Sequence, residues 1–90
     1  MQLNPMFSHI VETVQTASTV GCPENGGIAE ATINIAKAGY TPQMACVKNL
    51  NSDNVVLTKC LISGDYLVIR FFNPTSTRSD FTPEFYVLYM

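Results

Sequence analysis

The side chains best suited to chemistry are few and widely spaced. They are one histidine, His9, three cysteines at positions 22, 46 and 60, and seven carboxylates. The cysteine spacings match no zinc site, and His9 has no second histidine two residues away, so we interpret it as a partly exposed strand residue. No nucleophile or phosphate-loop motif occurs, and the carboxylates do not suggest the paired acids of a glycosidase. We therefore predict that the protein is not an enzyme and uses no cofactor or metal ion.

Composition narrows the class of partner. The 90 residues are 47% hydrophobic and only 13% charged, with a net charge of -2. Typical domains are about 25% charged, so we expect something other than water to cover much of the surface. The five basic residues are too dispersed to form the patch that binds nucleic acid. We expect no membrane insertion and no signal peptide, because no long apolar run occurs and no basic residue precedes Lys37. The odd cysteine count favours reduced thiols.

Alternating polar and apolar residues dominate the chain and predict strands. Residues 28–37 alternate cleanly, which favours a strand there over an alanine-rich helix. Glycine, proline and asparagine mark the turns, and 51–54 has the composition of a hairpin turn. We predict one all-β domain over 1–90, an antiparallel, jelly-roll-like β-sandwich in which 1–27 form an N-terminal strand and loop. Its six predicted strands are 8–19, 28–37, 43–50, 55–62, 66–72 and 81–90.

Two of these strands are apolar on both faces. In 66–72, Leu67, Ile69 and Phe71 point to one side, while the other side is also apolar except at Arg70. A half-exposed strand normally has one polar face. The facing sheet can cover only one side, so either loops or other copies of the chain must cover the second. We favour a homo-oligomer that packs through the outer face of one sheet carrying both strands. The predicted interface residues are Tyr66, Val68, Arg70, Phe72, Phe85 and Val87.

Arg70 has two interpretations. Its planar guanidinium suits a salt bridge or an aromatic stack between subunits. Alternatively, Arg70 lies at a sheet edge with its charged group in water.

Polar loop residues are the candidates for ligand binding. Sugar recognition requires an aromatic face with short polar side chains nearby, and two loop regions carry such residues. The alternative is that these are ordinary solvated turns. The candidate ligand-binding residues are Tyr40, Asn49, Asn51, Asp53, Asn54, Arg78 and Asp80.

Five short segments occur in a fixed order within residues 28–90. They are KAGYTP at 37–42, NSDNV at 51–55, CLISG at 60–64, RFFNPTS at 70–76 and FYVLY at 85–89. Through these segments the chain resembles the small C-terminal β domain of tail fibre and receptor-binding proteins from phages and prophages of Gram-positive bacteria. The first 27 residues depart from that family.

The resemblance implies a function. It suggests the tip of a trimeric fibre in a virion tail, made in the host cytoplasm and later exposed outside the cell. The tip would trimerise the fibre and adhere to glycans of the host surface. Two alternatives remain: a purely structural cap that holds three fibre chains together, and a monomeric carbohydrate-binding module of a bacterial surface protein.

Overall fold

The computed structural model describes residues 10–90, which form eight strands and no helix. The predicted all-β fold is confirmed. No helix suited to crossing a membrane occurs in this part of the chain. The strands are β1 Val11–Thr16, β2 Val20–Cys22, β3 Gly27–Asn34, β4 Pro42–Asn49, β5 Val56–Ser63, β6 Tyr66–Asn73, β7 Ser79–Phe81 and β8 Glu84–Tyr89.

The strands form three antiparallel sheets with the orders β1–β8–β4, β2–β7 and β3–β6–β5. The pairing of the strands is nested: β1 pairs with β8, β2 with β7 and β3 with β6. A jelly roll contains the same nested pairing, that of one long hairpin folded back on itself. However, β4 is hydrogen-bonded to β8 and β5 to β6, so the two are in different sheets. The predicted hairpin at 51–54 is therefore wrong. That turn carries the chain from one sheet to the other.

The core lies between the two three-stranded sheets. Each central strand turns every second side chain inward, and those side chains are fully buried. Burying a large apolar side chain contributes about 1.5–3 kcal/mol, so these positions supply much of the stability. The inward face predicted for 66–72 is confirmed. The six central side chains are Leu67, Ile69 and Phe71 from β6 and Phe85, Val87 and Tyr89 from β8.

The arrangement of β6 and β8 differs from the prediction. They are the central strands of opposite sheets and do not share one sheet. Phe85 and Val87 are fully buried within a single chain, so placing them in an oligomer interface is wrong. The alternation of β8 does not reveal which of its apolar faces points inward. The other face, with Tyr86 and Leu88, is the half-buried outer one.

The two-stranded sheet β2–β7 adds a second layer of packing around Phe71. The Phe81 ring on β7 meets the Phe71 ring edge-on, with centroids 4.9 Å apart. Sequence reasoning missed both short strands. It predicted one strand over 8–19, of which 8 and 9 lie outside the described residues, and placed no strand between 72 and 81. Strands of three residues are too short to show a period-2 pattern.

A buried phenol ties the sheets together. The Tyr89 hydroxyl on β8 donates a hydrogen bond to the carbonyl oxygen of Ile35, 2.8 Å away, just after β3. It also accepts one from Gln15 Nε2 on β1, at 3.1 Å. Burying a polar group costs free energy unless it is hydrogen-bonded. These two hydrogen bonds of the Tyr89 hydroxyl therefore help to fix how the two sheets meet.

Candidate functional site

The first candidate site is the β6 face, which is the outer surface of the β3–β6–β5 sheet. Strand register places its side chains in rows that run across β3, β6 and β5 in that order. Neighbours within a row lie about 4.5–5.5 Å apart, so each row forms a continuous strip. The rows are Ile28–Phe72–Val56, Glu30–Arg70–Lys59, Thr32–Val68–Leu61 and Asn34–Tyr66–Ser63.

The first row is apolar and exposed. Ile28 is 62% exposed, Val56 53% and Phe72 37%. Leu61 and Tyr66 add exposed apolar surface farther along the same face. Single exposed apolar residues are ordinary, but contiguous ones mark an interaction surface. The structure thus places four predicted interface residues together on this face: Tyr66, Val68, Arg70 and Phe72.

The second row carries the charges of the β6 face. Arg70 Nε and Nη2 both donate to Glu30 Oε2, at 3.3 and 3.2 Å. Arg70 lies on the central strand, so the interpretation as an edge residue is wrong. Its ion pair is within the chain. Because both hydrogen bonds go to one carboxylate oxygen, Glu30 Oε1 accepts none from Arg70.

A bulge determines which β5 residue joins this row. The register shifts between Leu57 and Lys59, so Lys59 and not Thr58 stands opposite Arg70. Thr58 instead donates its hydroxyl to the Arg70 carbonyl oxygen, at 3.2 Å. The bulge therefore places a second cation beside Arg70, on the opposite margin of the sheet from Glu30.

The second candidate site is the loop end, formed by residues 49–54 and 73–80. The hydroxyls of Ser52 and Ser79 are hydrogen-bonded, which joins the two loops. Asn51 adopts a left-handed backbone, with φ of 58°. The side-chain nitrogen of Asn51, Nδ2, donates to the carbonyl oxygen of Thr82 at 2.7 Å and to Glu84 Oε1 at 3.2 Å. The two predicted ligand-binding regions therefore do come together.

Asn73 organises this end from the inside. It is fully buried, and its Nδ2 donates to the carbonyl oxygens of Cys22 and Thr77, at 3.3 and 2.8 Å. Its Oδ1 accepts from the backbone nitrogen and the hydroxyl of Thr75, at 3.0 and 2.7 Å. The sequence analysis assigned Asn73 no role and ended the predicted strand one residue before it. The available signal was a polar residue at an inward position of β6.

Some of the predicted ligand-binding residues serve the framework. Asn49 Oδ1 accepts a hydrogen bond from the Asn51 backbone, and the Asn54 backbone donates to the Ser52 hydroxyl. Short polar side chains commonly close turns in this way. For Asn49 and Asn51, the alternative of ordinary turn residues fits the observed side-chain contacts.

Asp53, Arg78 and Asp80 at the loop end have exposed side chains, as Asn49 and Asn51 also do. Arg78 Nε lies 3.3 Å from Asp80 Oδ1 in an exposed ion pair. A Cβ added at Gly21 would collide with this pair, so the glycine leaves space for the Arg78 guanidinium. Charged groups and amides of this kind can hydrogen-bond the hydroxyls of a sugar.

Tyr40 does not join this cluster. It precedes β4, whereas Asn49 ends that strand, and an eight-residue strand spans roughly 25 Å. The Lys37 ammonium lies 5.5 Å from the centre of the Tyr40 ring. The predicted pairing of this aromatic ring with the 49–54 asparagines is wrong, because β4 runs the length of its sheet between them.

Two depressions lie elsewhere on the surface. One of about 320 Å³ lies between residues 17–21 and 29–32 and is lined mostly by small side chains. The other, of about 90 Å³, lies on the outer face of β4 and β8, beside Met44, Cys46 and Tyr86. Within residues 10–90, no three His, Cys, Asp or Glu side chains gather as metal ligands do. His9 lies outside the described residues.

All three cysteines are free. Burial raises the pKa of Cys22, whose thiol donates to the carbonyl oxygen of Gly27. Burial, and then the nearby Cys46, raise the pKa of Cys60. Neutral thiols of this kind are poor nucleophiles, which leaves the exposed Cys46 as the most accessible of the three.

Comparison with known protein families, with curated proteins and with solved structures finds no match to this chain. The resemblance to fibre-tip domains therefore stays a prediction.

Proposed function

We propose that the chain is the tip domain of a phage or prophage tail fibre, which assembles with copies of itself and adheres to the host surface. The observation that carries this proposal is the exposed apolar row Ile28–Phe72–Val56 across the β6 face. The fibre itself and the number of three subunits come from the family resemblance.

Assembly provides a physical reason for this surface. A lone domain of this size buries only about 60–65% of its unfolded surface and is modestly stable. Covering the apolar row with another copy removes it from water, which is favourable in proportion to the area covered. Several copies held together also present several weak binding sites at once, so that avidity replaces affinity.

The loop end provides the groups for adhesion. Asp53, Arg78 and Asp80 are exposed, and the hydrogen bonds of Asn51 and Asn73 hold their backbone in place. A rigid loop loses less entropy on binding than a flexible one. The proposed ligands are hydroxyl-rich polysaccharides of a Gram-positive cell wall.

Light scattering after size exclusion tests the assembly. The expected mass at micromolar concentration is three times the 9.9 kDa of one chain. A mass of 9.9 kDa at every concentration up to the millimolar range would exclude self-assembly as a function of the β6 face.

Binding to immobilised cell-wall polysaccharide from Gram-positive bacteria tests the adhesion. The combined variant Asp53→Ala, Arg78→Ala, Asp80→Ala is expected to lose at least about tenfold in affinity, because each lost charged hydrogen bond is worth about 1.5–3 kcal/mol. Asp65→Ala changes an equally exposed turn at Ser63–Tyr66 and is the matched control.

A structural cap is the second candidate, favoured by the same loops. The side chains of Asn51, Ser52, Asn73 and Ser79 are all hydrogen-bonded within the chain. Groups used in this way are unavailable to a ligand. Assembly without polysaccharide binding would establish the cap, whereas binding by a monomer would favour a carbohydrate-binding module.

A further inference from the structure

We propose that neighbouring copies meet around a rotation axis parallel to the strands of the β3–β6–β5 sheet. In this arrangement Glu30 of one copy pairs with Lys59 of the next. The inference rests on the proposed assembly through the β6 face, and it adds the direction of the axis and a specific contact.

The order of the strands provides the geometry. β3 and β5 flank β6, so they are the two margins of the β6 face. Rotation about an axis parallel to the strands leaves every row at its own height. It brings the β3 margin of one copy against the β5 margin of the next. This holds for a two-fold and for a three-fold axis alike, with β6 nearest the axis.

The charges of the second row fit this arrangement. Glu30 is on the β3 margin and Lys59 on the β5 margin, in the same row. Both hydrogen bonds from Arg70 go to Glu30 Oε2, which leaves Oε1 to accept from a cation of the next copy. Lys59 makes no ion pair with any of residues 10–90. A two-fold axis lying across the strands along this row would instead set Glu30, Arg70 and Lys59 each against itself, which is repulsive. The proposed axis sets only Arg70 against itself, and Glu30 of the same chain already pairs with that guanidinium.

The apolar rows agree with the charged one. Ile28 and Val56 occupy the two margins of the first row, and Thr32 and Leu61 those of the third. The same rotation therefore places Ile28 of one copy beside Val56 of the next. It also places Phe72 near the axis, where water is most completely excluded. An ion pair flanked by apolar contacts fixes the register of an interface.

Charge reversal at the two margins tests the pairing. Glu30→Lys sets two lysines together, and Lys59→Glu sets two glutamates together. Each single variant is expected to raise the dissociation constant of the assembly by about tenfold or more, measured by light scattering over a dilution series. The double variant restores opposite charges and is expected to assemble within about threefold of the wild type.

A mixture of the two single variants provides a second readout. One chain then carries lysine at both positions and the other carries glutamate at both, so unlike chains attract. The mixture is expected to assemble where each variant alone does not. Unlike chains would satisfy every contact around a two-fold axis and two contacts of three around a three-fold axis.

Controls separate this arrangement from the assembly itself. Lys59→Arg keeps the charge and is expected to keep the assembly, while thermal melting in dilute solution checks that each variant folds. A wild type that remains at 9.9 kDa would overturn the proposed assembly. A wild type that assembles, together with single variants that assemble equally well, would overturn only the Glu30–Lys59 arrangement.

Discussion

The loop end and the β6 face use their residues in opposite ways. At the loop end, Asn51, Ser52 and Asn73 turn their polar groups toward the chain itself. On the β6 face, Ile28 and Phe72 turn apolar groups toward solvent. In a domain of 90 residues, residue type alone is a poor guide to which surface meets a partner. What matters is which groups remain unsatisfied after folding.

Removing Asn73 is expected to have the largest effect. Asn73→Ala deletes the partners of buried carbonyl groups and so lowers the free energy of unfolding by about 2–4 kcal/mol. Chemical denaturation followed by circular dichroism measures this. Ser76→Ala, at an exposed position in the same loop, is the control and is expected to change stability by less than about 0.5 kcal/mol. Equal stability of the two variants would show that the loop end is not a framework.

The Tyr89 hydroxyl is expected to matter next. Tyr89→Phe leaves the Ile35 carbonyl oxygen and Gln15 Nε2 without this partner, at a cost of about 1–2 kcal/mol. The melting temperature reports the change. Tyr40→Phe alters an exposed tyrosine outside the core and should leave the melting temperature nearly unchanged. If Tyr89→Phe leaves the melting temperature unchanged, the two sheets are held together by apolar packing alone.

Phe72 tests the role of the β6 face. Phe72→Ser is expected to lower the unfolding free energy of the single chain by about 1 kcal/mol, less than the loss of a fully buried ring, because the ring is 37% exposed. It should nevertheless weaken self-association measurably in sedimentation. Val14→Ser makes a similar change on the outer face of the opposite sheet. If Val14→Ser dissociates the assembly and Phe72→Ser does not, the copies meet through the outer face of the β1–β8–β4 sheet and not through the β6 face.

The smallest expected effect is a dependence of stability on pH. The folded state raises the pKa of the Cys22 thiol above its ordinary 9.0 by burial. The stabilisation linked to this thiol is complete below pH 9.0 and is lost as the pH rises through the folded value. Chemical denaturation of the wild type and of Cys22→Ala at pH 7 and pH 10 isolates the effect. The unfolding free energy of the wild type should fall more between the two pH values than that of Cys22→Ala, because only the wild type has this thiol. An equal change in unfolding free energy for the two proteins would rule out a contribution from Cys22.

The strands themselves were largely predictable, since alternation is a local property. It located both ends of β5 and β6 to within one residue and those of β3 to within three, and it identified the inward set of β6. The pairing of strands was not predictable. Turn composition at 51–54 suggested a hairpin, yet β4 pairs with β8, which is distant in sequence. Partner choice depends on packing between remote residues, which no local pattern contains.

The candidate sites divide in the same way. Tyr66 and Phe72 were correctly placed on an outer face, because apolar residues at outward positions are visible in the sequence, while their role in an interface stays a prediction. Phe85 was misassigned because its strand is apolar on both sides and only the fold decides which side is inner. Asn73 and the bulge before Lys59 were missed, since both depend on neighbours brought together by the sheet.

The pairing of β1 with β8 also has a kinetic consequence. Val11 pairs with Tyr89, near the two ends of the described chain, and β3 pairs with β6 across two intervening strands. Among the strands of residues 10–90, only β5 and β6 form a local hairpin, which turns at Gly64. Contacts between remote residues require long loops to close first, which slows folding to milliseconds or seconds in all-β domains. We therefore expect the β5–β6 hairpin to form early and β1 to dock late. Until it docks, one edge of β8 is unpaired and open to wrong strands from other chains.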